Sequence, residues 1–250
     1  MFNIIIDKSA HKEQELYFKI QSIAKETIEY AKETIEYAKK IIKPNLSLIK
    51  IREMCENKML ELGADSFWYY NVGALIFAGD ETTKSVSGKE YITSDYIIKN
   101  DDIITIDLSP QIKNIWGDYA RTIIIENGKV VDEINQIQNA EWKNGLLIEK
   151  ELHSELLNFA TGNTTFEELY YHMNDFIKKC GYINLDFNGN LGHSIVKNKN
   201  RRIYIEKGNK KKLSKVKYFT FEPHIALPNS NYGCKKENIY YFNNDKLIEL

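Results

Sequence analysis

Three cysteines, at positions 55, 180 and 234, are too few, too scattered and too odd in number for a disulfide framework or a Cys-x-x-Cys metal site. A reducing, cytoplasmic setting is expected. No stretch reaches the ~18 apolar residues of a membrane span, and the opening MFNIIIDKSAHK lacks the basic start and long apolar core of a signal peptide. A soluble protein with no membrane partner follows. Charge of one sign is missing too: 34 basic side chains face 35 acidic ones, for a net −1, so nothing draws the whole chain toward nucleic acid. Proline appears only four times and no Gly/Ser-rich or Pro-rich linker divides the chain, so residues 1–250 read as one domain without a separate N-terminal domain.

What is present is 43% apolar residues in 250, enough to bury roughly 70–75% of the unfolded surface. A helical pattern runs from Ser9, a candidate N-cap, to Ile42, stopping before Pro44. It contains KETIEYAKETIEYA, residues 25–38, a tandem seven-residue repeat that lengthens a helix while turning its apolar stripe by only about 20°. Two heptads are too few to imply a coiled-coil partner. LSLIKIREMCENKMLEL predicts a second helix closed by Gly63, SFWYYNVGALIFAG an aromatic strand, and DIITIDLS with DYARTIIIE two more strands, the latter ending at Asn127-Gly128. Residues 130–160 and 165–180 predict two further helices, the second opened by a capping box of Thr165 and Glu168. INLDFNGNLGHSI, IYIEKG, VKYFTFEPHI, NIYYF and KLIEL predict strands and turns, with Asn243-Asn244 suited to a hairpin. The class is α+β, with mostly antiparallel strands.

Within these β-prone runs lie residues that strands normally exclude. Asp107 and Asp118 sit eleven positions apart in IDLSPQIKNIWGDYARTIII, and His193, Glu222 and Glu237 occupy NLGHSI, YFTFEPHI and GCKKENIYYF. Singly, each has an ordinary reading as a solvated or hydrogen-bonded strand residue. Together, four carboxylates and an imidazole cannot share a core without costly repulsion unless cations neutralise them.

These motifs, in this order, resemble those of the pita-bread metallopeptidases, the group of methionine aminopeptidase, aminopeptidase P, prolidase and creatinase. Arg121-Thr122 after Asp118 and Pro223 after Glu222 are similar to the aminopeptidase P and prolidase branch. The resemblance covers nearly the whole chain and implies a curved, mostly antiparallel sheet with flanking helices. It also implies two divalent ions, with Asp107 on one, His193 and Glu222 on the other, and Asp118 and Glu237 bridging both. Oxygen-rich ligation with one imidazole suits Mn, Co, Fe or Zn. The implied reaction is hydrolysis of short peptides of the Xaa-Pro type through a metal-bridging hydroxide, with Glu222 relaying a proton to the leaving amine. The resemblance leaves room for a homodimer.

Two departures from that pattern bear on activity. The family's non-ligand histidines, which hold substrate and stabilise the developing charge, have no counterpart in GALIFAGDETTKSVSG or in SIVKNKNRRIYIEKGNKKKLS. Losing one such donor costs roughly 10²–10³ in rate. His224 is expected to be the catalytic substitute, since it shares a strand face with Glu222 if the strand continues through Pro223; if Pro223 ends the strand, His224 is structural. Arg201, Arg202 and Tyr204 are alternative donors on the substrate side. The competing reading is a catalytically impaired domain that binds peptides or proteins. Residues 197–217 hold ten Lys or Arg against one Glu, but only Tyr204 interleaves them, so a solvated loop is favoured over a nucleic-acid site. The FWYY run, Phe67 to Tyr70, reads as core or as pocket wall.

Overall fold

The computed structural model describes residue 22, residues 24–196 and residues 198–250. The helix start expected at Ser9 lies outside the described residues, as does Lys197 of the basic stretch. Residues 24–41 are helical (α1). Both copies of the heptad bury the same positions, Thr27, Ile28 and Ala31 in the first and Thr34, Ile35 and Ala38 in the second. Seven residues are nearly two turns, so the duplication extends one buried stripe. The threonine hydroxyls are satisfied inside the helix, donating to the Ala24 and Tyr30 carbonyls at 2.8 and 2.7 Å.

Helix α2 (Leu48–Leu62) begins at Ser47, whose side chain accepts from the Lys50 amide, and ends at Gly63 with φ of 119°. Against α1 and α2 lies a four-stranded sheet in the order β2 (Ala74–Ala78), β3 (Asp102–Leu108), β6 (Tyr119–Glu126), β7 (Lys129–Val131). Its Ile-rich strands are buried on both faces. Ile104, Ile106, Ile123 and Ile125 pack with α1 and α2, while Ile103 and Ile124 point to the opposite side. There they meet α3 (Ala140–Phe159) and α4 (Phe166–Lys179). A helix pair therefore covers each face.

The expected helix over residues 130–160 starts ten residues late. Residues 129–131 complete the hairpin through Asn127 (φ 54°) and Gly128 (φ 76°), and Asn139 then caps α3 by accepting from the Glu141 and Trp142 amides. The Thr165–Glu168 capping box of α4 forms in both directions, at 2.7 and 3.1 Å.

A second four-stranded sheet runs β14 (Lys246–Glu249), β13 (Asn238–Asn243), β10 (Tyr218–Phe221), β9 (Ser194–Ile195). Its hairpin turns on Asn244 and Asp245, both with positive φ, one residue beyond the expected pair. Two three-stranded sheets complete the set: β1 (Ser66–Phe67) with β4 (Pro110–Ile112) and β5 (Ile115–Trp116), and β8 (Ile183–Asn184) with β11 (His224–Ala226) and β12 (Gly233–Lys235). Every strand pairing among the described residues is antiparallel. The aromatic run breaks after Phe67 because Tyr70 and Asn71 turn left-handed, and IYIEKG contributes only the isolated bridge between His193 and Tyr204. Among the described residues no helix is long and apolar enough to cross a membrane.

Candidate metal centre

Asp107 lies on β3 opposite Ala120 of β6, and Asp118 precedes β6 by one residue. Side chains alternate along a strand, so Asp118 shares a face with Ala120 and hence with Asp107. The third acid arrives from the other half of the chain. Glu237 sits between β12 and β13, where its amide donates to the Ala120 carbonyl at 3.0 Å and the Arg121 guanidinium donates to its carbonyl at 2.7 Å. Arg121 also holds the Asn238 side chain, and the Thr122 hydroxyl accepts from the Lys235 amide at 2.8 Å. The Arg121-Thr122 pair thus staples the segment carrying Glu237 across the two sheets.

Carboxylate oxygens of Asp107, Asp118 and Glu237 all lie within 4.8 Å of one another. Glu237 is fully buried, and neither of its oxygens has a hydrogen-bond partner. Burial, then the neighbouring Asp118 and Glu222 charges, pushes its carboxyl well above the usual range; burial, then Asp107 and Glu222, does the same to Asp118. A buried carboxylate without a donor costs several kcal/mol unless a cation or proton meets it. That orphaned acid is the physical sign that a metal ion fits here.

His193 and Glu222 flank the trio. The His193 amide donates to the Thr220 hydroxyl at 3.0 Å, and that hydroxyl donates to Glu222 Oε1 at 3.2 Å. Nδ1 of His193 lies 3.4 Å from the Ser194 carbonyl, which assigns the proton to Nδ1 and leaves the Nε2 lone pair bare. Nε2 faces Asp118 Oδ2 at 3.6 Å and Glu222 Oε1 at 3.7 Å. Burial, then the Arg202 charge, pushes the imidazole down to about 3, so it is neutral and these approaches are not ion pairs. A neutral lone pair set against two carboxylates is the donor arrangement of a metal ligand.

Asp107, Asp118, His193 and Glu222 line a cavity of about 280 Å³. Its wall is aromatic and cationic: Trp68, Tyr69 and Tyr204, with the Arg202 guanidinium 4.9 Å over the Trp68 ring and 5.6 Å over the Tyr204 ring. Trp68 stacks on Trp116 at 4.1 Å and meets the His193 ring edge-on, so the FWYY run supplies both core and wall. Arg202 and Tyr204 therefore reach the cavity, whereas Arg201 is exposed and does not line it.

His224 is placed differently from its expected position. The strand breaks at Glu222-Pro223, between β10 and β11, and His224 gives its Nε2 proton to the Thr82 carbonyl at 2.7 Å. Burial, then Lys235, holds its imidazole neutral at about 4, and it does not line the cavity.

Two charged cavity residues went unread in the sequence. Lys235 places Nζ 2.6 Å from Asp107 Oδ2 and 3.1 Å from Glu222 Oε2. Burial opposes its charge, but Asp107 and Glu222 overcome this and hold the ammonium well above the usual lysine range. Its signal was present: it precedes Glu237 by two residues in a β-prone run, the spacing of side chains on one face. Asp186, bonded by the Ser85 hydroxyl at 3.0 Å, also lines the cavity. It lies in a turn next to a 3₁₀ segment, where acids are ordinary, and nothing in the sequence distinguishes it.

Helix-covered antiparallel sheets around a buried cluster of carboxylates and one imidazole make this an α+β protein with a candidate metal centre. The chain belongs to metallopeptidase family M24, whose model matches residues 22–244. Solved structures agree on the pita-bread fold. An X-Pro aminopeptidase from Thermotoga maritima superposes with a TM-score of 0.71 at 20% identity, over 90% of this chain and 59% of its own. Prolidase from Pyrococcus furiosus gives 0.71 at 19% identity, over 92% and 63%. A methionine aminopeptidase from Rickettsia prowazekii gives 0.64 at 17%, over 94% and 96%. The chain spans about three fifths of the length of the first two. No curated protein matches it significantly.

Proposed function

We propose that the chain is a metal-dependent peptidase of the Xaa-Pro aminopeptidase or prolidase type, acting on short peptides in the cytoplasm. The observation that carries this is Glu237: a fully buried carboxylate with two unpartnered oxygens, facing Asp107 and Asp118. The donor set fits two divalent ions, of Mn, Co, Fe or Zn: Asp107 would hold one, His193 and Glu222 the other, and Asp118 and Glu237 both. Bound there, such ions supply Lewis acidity and a water that ionises near neutral pH.

The chain's own groups would do the rest. Glu222, oriented by the Thr220 hydroxyl, takes the proton of the attacking water and passes it to the leaving amine. Arg202 and Tyr204, on the cavity wall, hold the peptide. His224, with Nε2 committed to Thr82, supports β11, which pairs with β12 at Lys235, as a positioning residue.

One observation favours the rival reading, a module that binds peptides without cutting them. Among the described residues lining the cavity, His193 is the one histidine, so the wall offers Arg202 and Tyr204 where imidazoles are expected. Hydrolysis of Xaa-Pro and Met-first peptides with added Mn or Co separates the two. Turnover that is lost in Asp118→Asn supports the peptidase, while peptide binding with no turnover under any metal supports the module. The free, mostly buried cysteines are consistent with the reducing compartment. A homodimer is proposed from the resemblance alone.

A further inference from the structure

Asp186 is a charged group in the cavity that the hydrolysis outlined above does not use. It follows β8 and opens the 3₁₀ turn Phe187–Gly189. Its backbone is pinned, because its amide donates to the Asn184 side chain at 2.9 Å and its carbonyl accepts from the Gly189 amide at 3.0 Å. One carboxylate oxygen does all the local work: Oδ1 accepts from the Phe187 amide at 2.7 Å and from the Ser85 hydroxyl at 3.0 Å. Oδ2 has no hydrogen-bond partner among the described residues.

Capping a turn needs one side-chain oxygen, which asparagine supplies as well as aspartate does. The negative charge is therefore surplus to the fold. It is also disfavoured where it stands, since burial, then the Glu222 charge, pushes the Asp186 carboxyl above its usual range, with Lys235 opposing. The Lys235 ammonium is already held by Asp107 at 2.6 Å and Glu222 at 3.1 Å, and no side-chain cation pairs with Asp186 among the described residues. A carboxylate that lines a cavity with one oxygen bare and no cation of its own is suited to receive a cation from a ligand.

The position of that cation follows from the neighbours. Glu222, assigned above to the scissile bond, is the charge that Asp186 feels most strongly, so an ammonium received at Asp186 sits close to the bond being cut. The α-ammonium of a peptide is two bonds from its first carbonyl carbon, whereas a lysine side chain carries its ammonium several bonds further away. We propose that Asp186 is the receptor for the substrate's free N-terminus, with Oδ2 accepting from the α-ammonium, and is the residue that selects unblocked peptides. This rests on the peptidase reading and deepens it, because it assigns recognition of the amine to a side chain outside the candidate metal ligands.

Steady-state kinetics of the full chain at saturating Mn, on Ala-Pro-Ala and on propionyl-Pro-Ala, which is the same peptide without its amine, provide the test. Where neither is cleaved, isothermal titration calorimetry reads the two affinities instead. The wild type should favour Ala-Pro-Ala by ~10-fold or more in kcat/KM or in Kd. Asp186→Asn keeps the oxygen for Phe187 and Ser85 while removing the charge, and should shrink that preference by ~10-fold or more. Asp186→Glu, which keeps the charge, should retain part of it. A wild type that treats the two peptides alike would overturn the inference without recourse to any variant. So would an Asp186→Asn protein that handles both peptides worse by the same factor, the mark of a purely structural cap, or one whose preference is unchanged. If the wild type neither cleaves nor binds Ala-Pro-Ala, the peptide reading of the cavity falls and this inference with it. Preference for the free amine without cleavage would support the inference and remove only the peptidase, while equal cleavage of both peptides would remove only the inference.

Discussion

Glu149 of α3 offers a sharp test of how the site's scaffold is balanced. It is 4% exposed, and it accepts a hydrogen bond at 2.8 Å from Thr122, whose hydroxyl also accepts from the Lys235 amide and so anchors the strand under the metal centre. Burial raises its carboxyl from 4.5 to about 7, with the Thr122 bond opposing. Because the folded value lies above the unfolded one, the group contributes stability that is complete below pH ~4.5 and is lost as pH rises through 7. Between pH 5 and pH 8 the lost contribution is about 2–3 kcal/mol. Glu149→Gln keeps the acceptor for Thr122 and removes the titration. Its stability relative to wild type should therefore grow by that amount from pH 5 to pH 8, or about 5–10 °C in Tm for a chain of this size. Urea unfolding of both proteins across that range measures it, and common contributions from the metal ligands cancel in the difference. Parallel curves, or a gap that widens toward acid, would refute the reasoning.

Two further outcomes follow from the same geometry. Glu237→Gln should raise the stability of EDTA-treated protein by about 1–3 kcal/mol, since it removes an unpartnered buried charge, yet abolish the rise in Tm on adding Mn; differential scanning fluorimetry with and without metal reads both. Gly192→Ala should cost about 3 kcal/mol or more. It adds a Cβ that would collide with the Thr220 carbonyl, at a φ of 135°, beside the candidate ligand His193. Chemical denaturation checks the loss.

The candidate ligands were legible because each breaks a rule that its surroundings obey. Asp107 interrupts DIITIDL, and Asp118 and Glu222 interrupt runs of β-branched and aromatic residues, so a compensating cation was the economical explanation. The helix ends were equally open to reading: Ser47, Gly63 and the Thr165–Glu168 box announce themselves in local chemistry. What escaped was decided at long range. Lys235 has the strand spacing from Glu237 but reads as half of a Lys-Lys pair, and its partner Asp107 comes across from β3, 128 residues away. His224 depended on whether Pro223 ends the strand, which it does, freeing the imidazole for Thr82, 142 residues away. The late start of α3 was set by a carboxylate from another element: Glu126, at the end of β6, accepts from the Gln138 and Asn139 amides and fixes where the helix begins.

The central claim is that acids from both halves of the fold converge on divalent ions. Anomalous X-ray scattering from crystals grown with Mn tests it most directly. A strong peak is expected at about 2.2 Å from carboxylate oxygens of Asp118 and Glu237, with a second beside His193 Nε2. A map without any peak in this cavity at saturating Mn, with Lys235 still bridging Asp107 and Glu222, would contradict it.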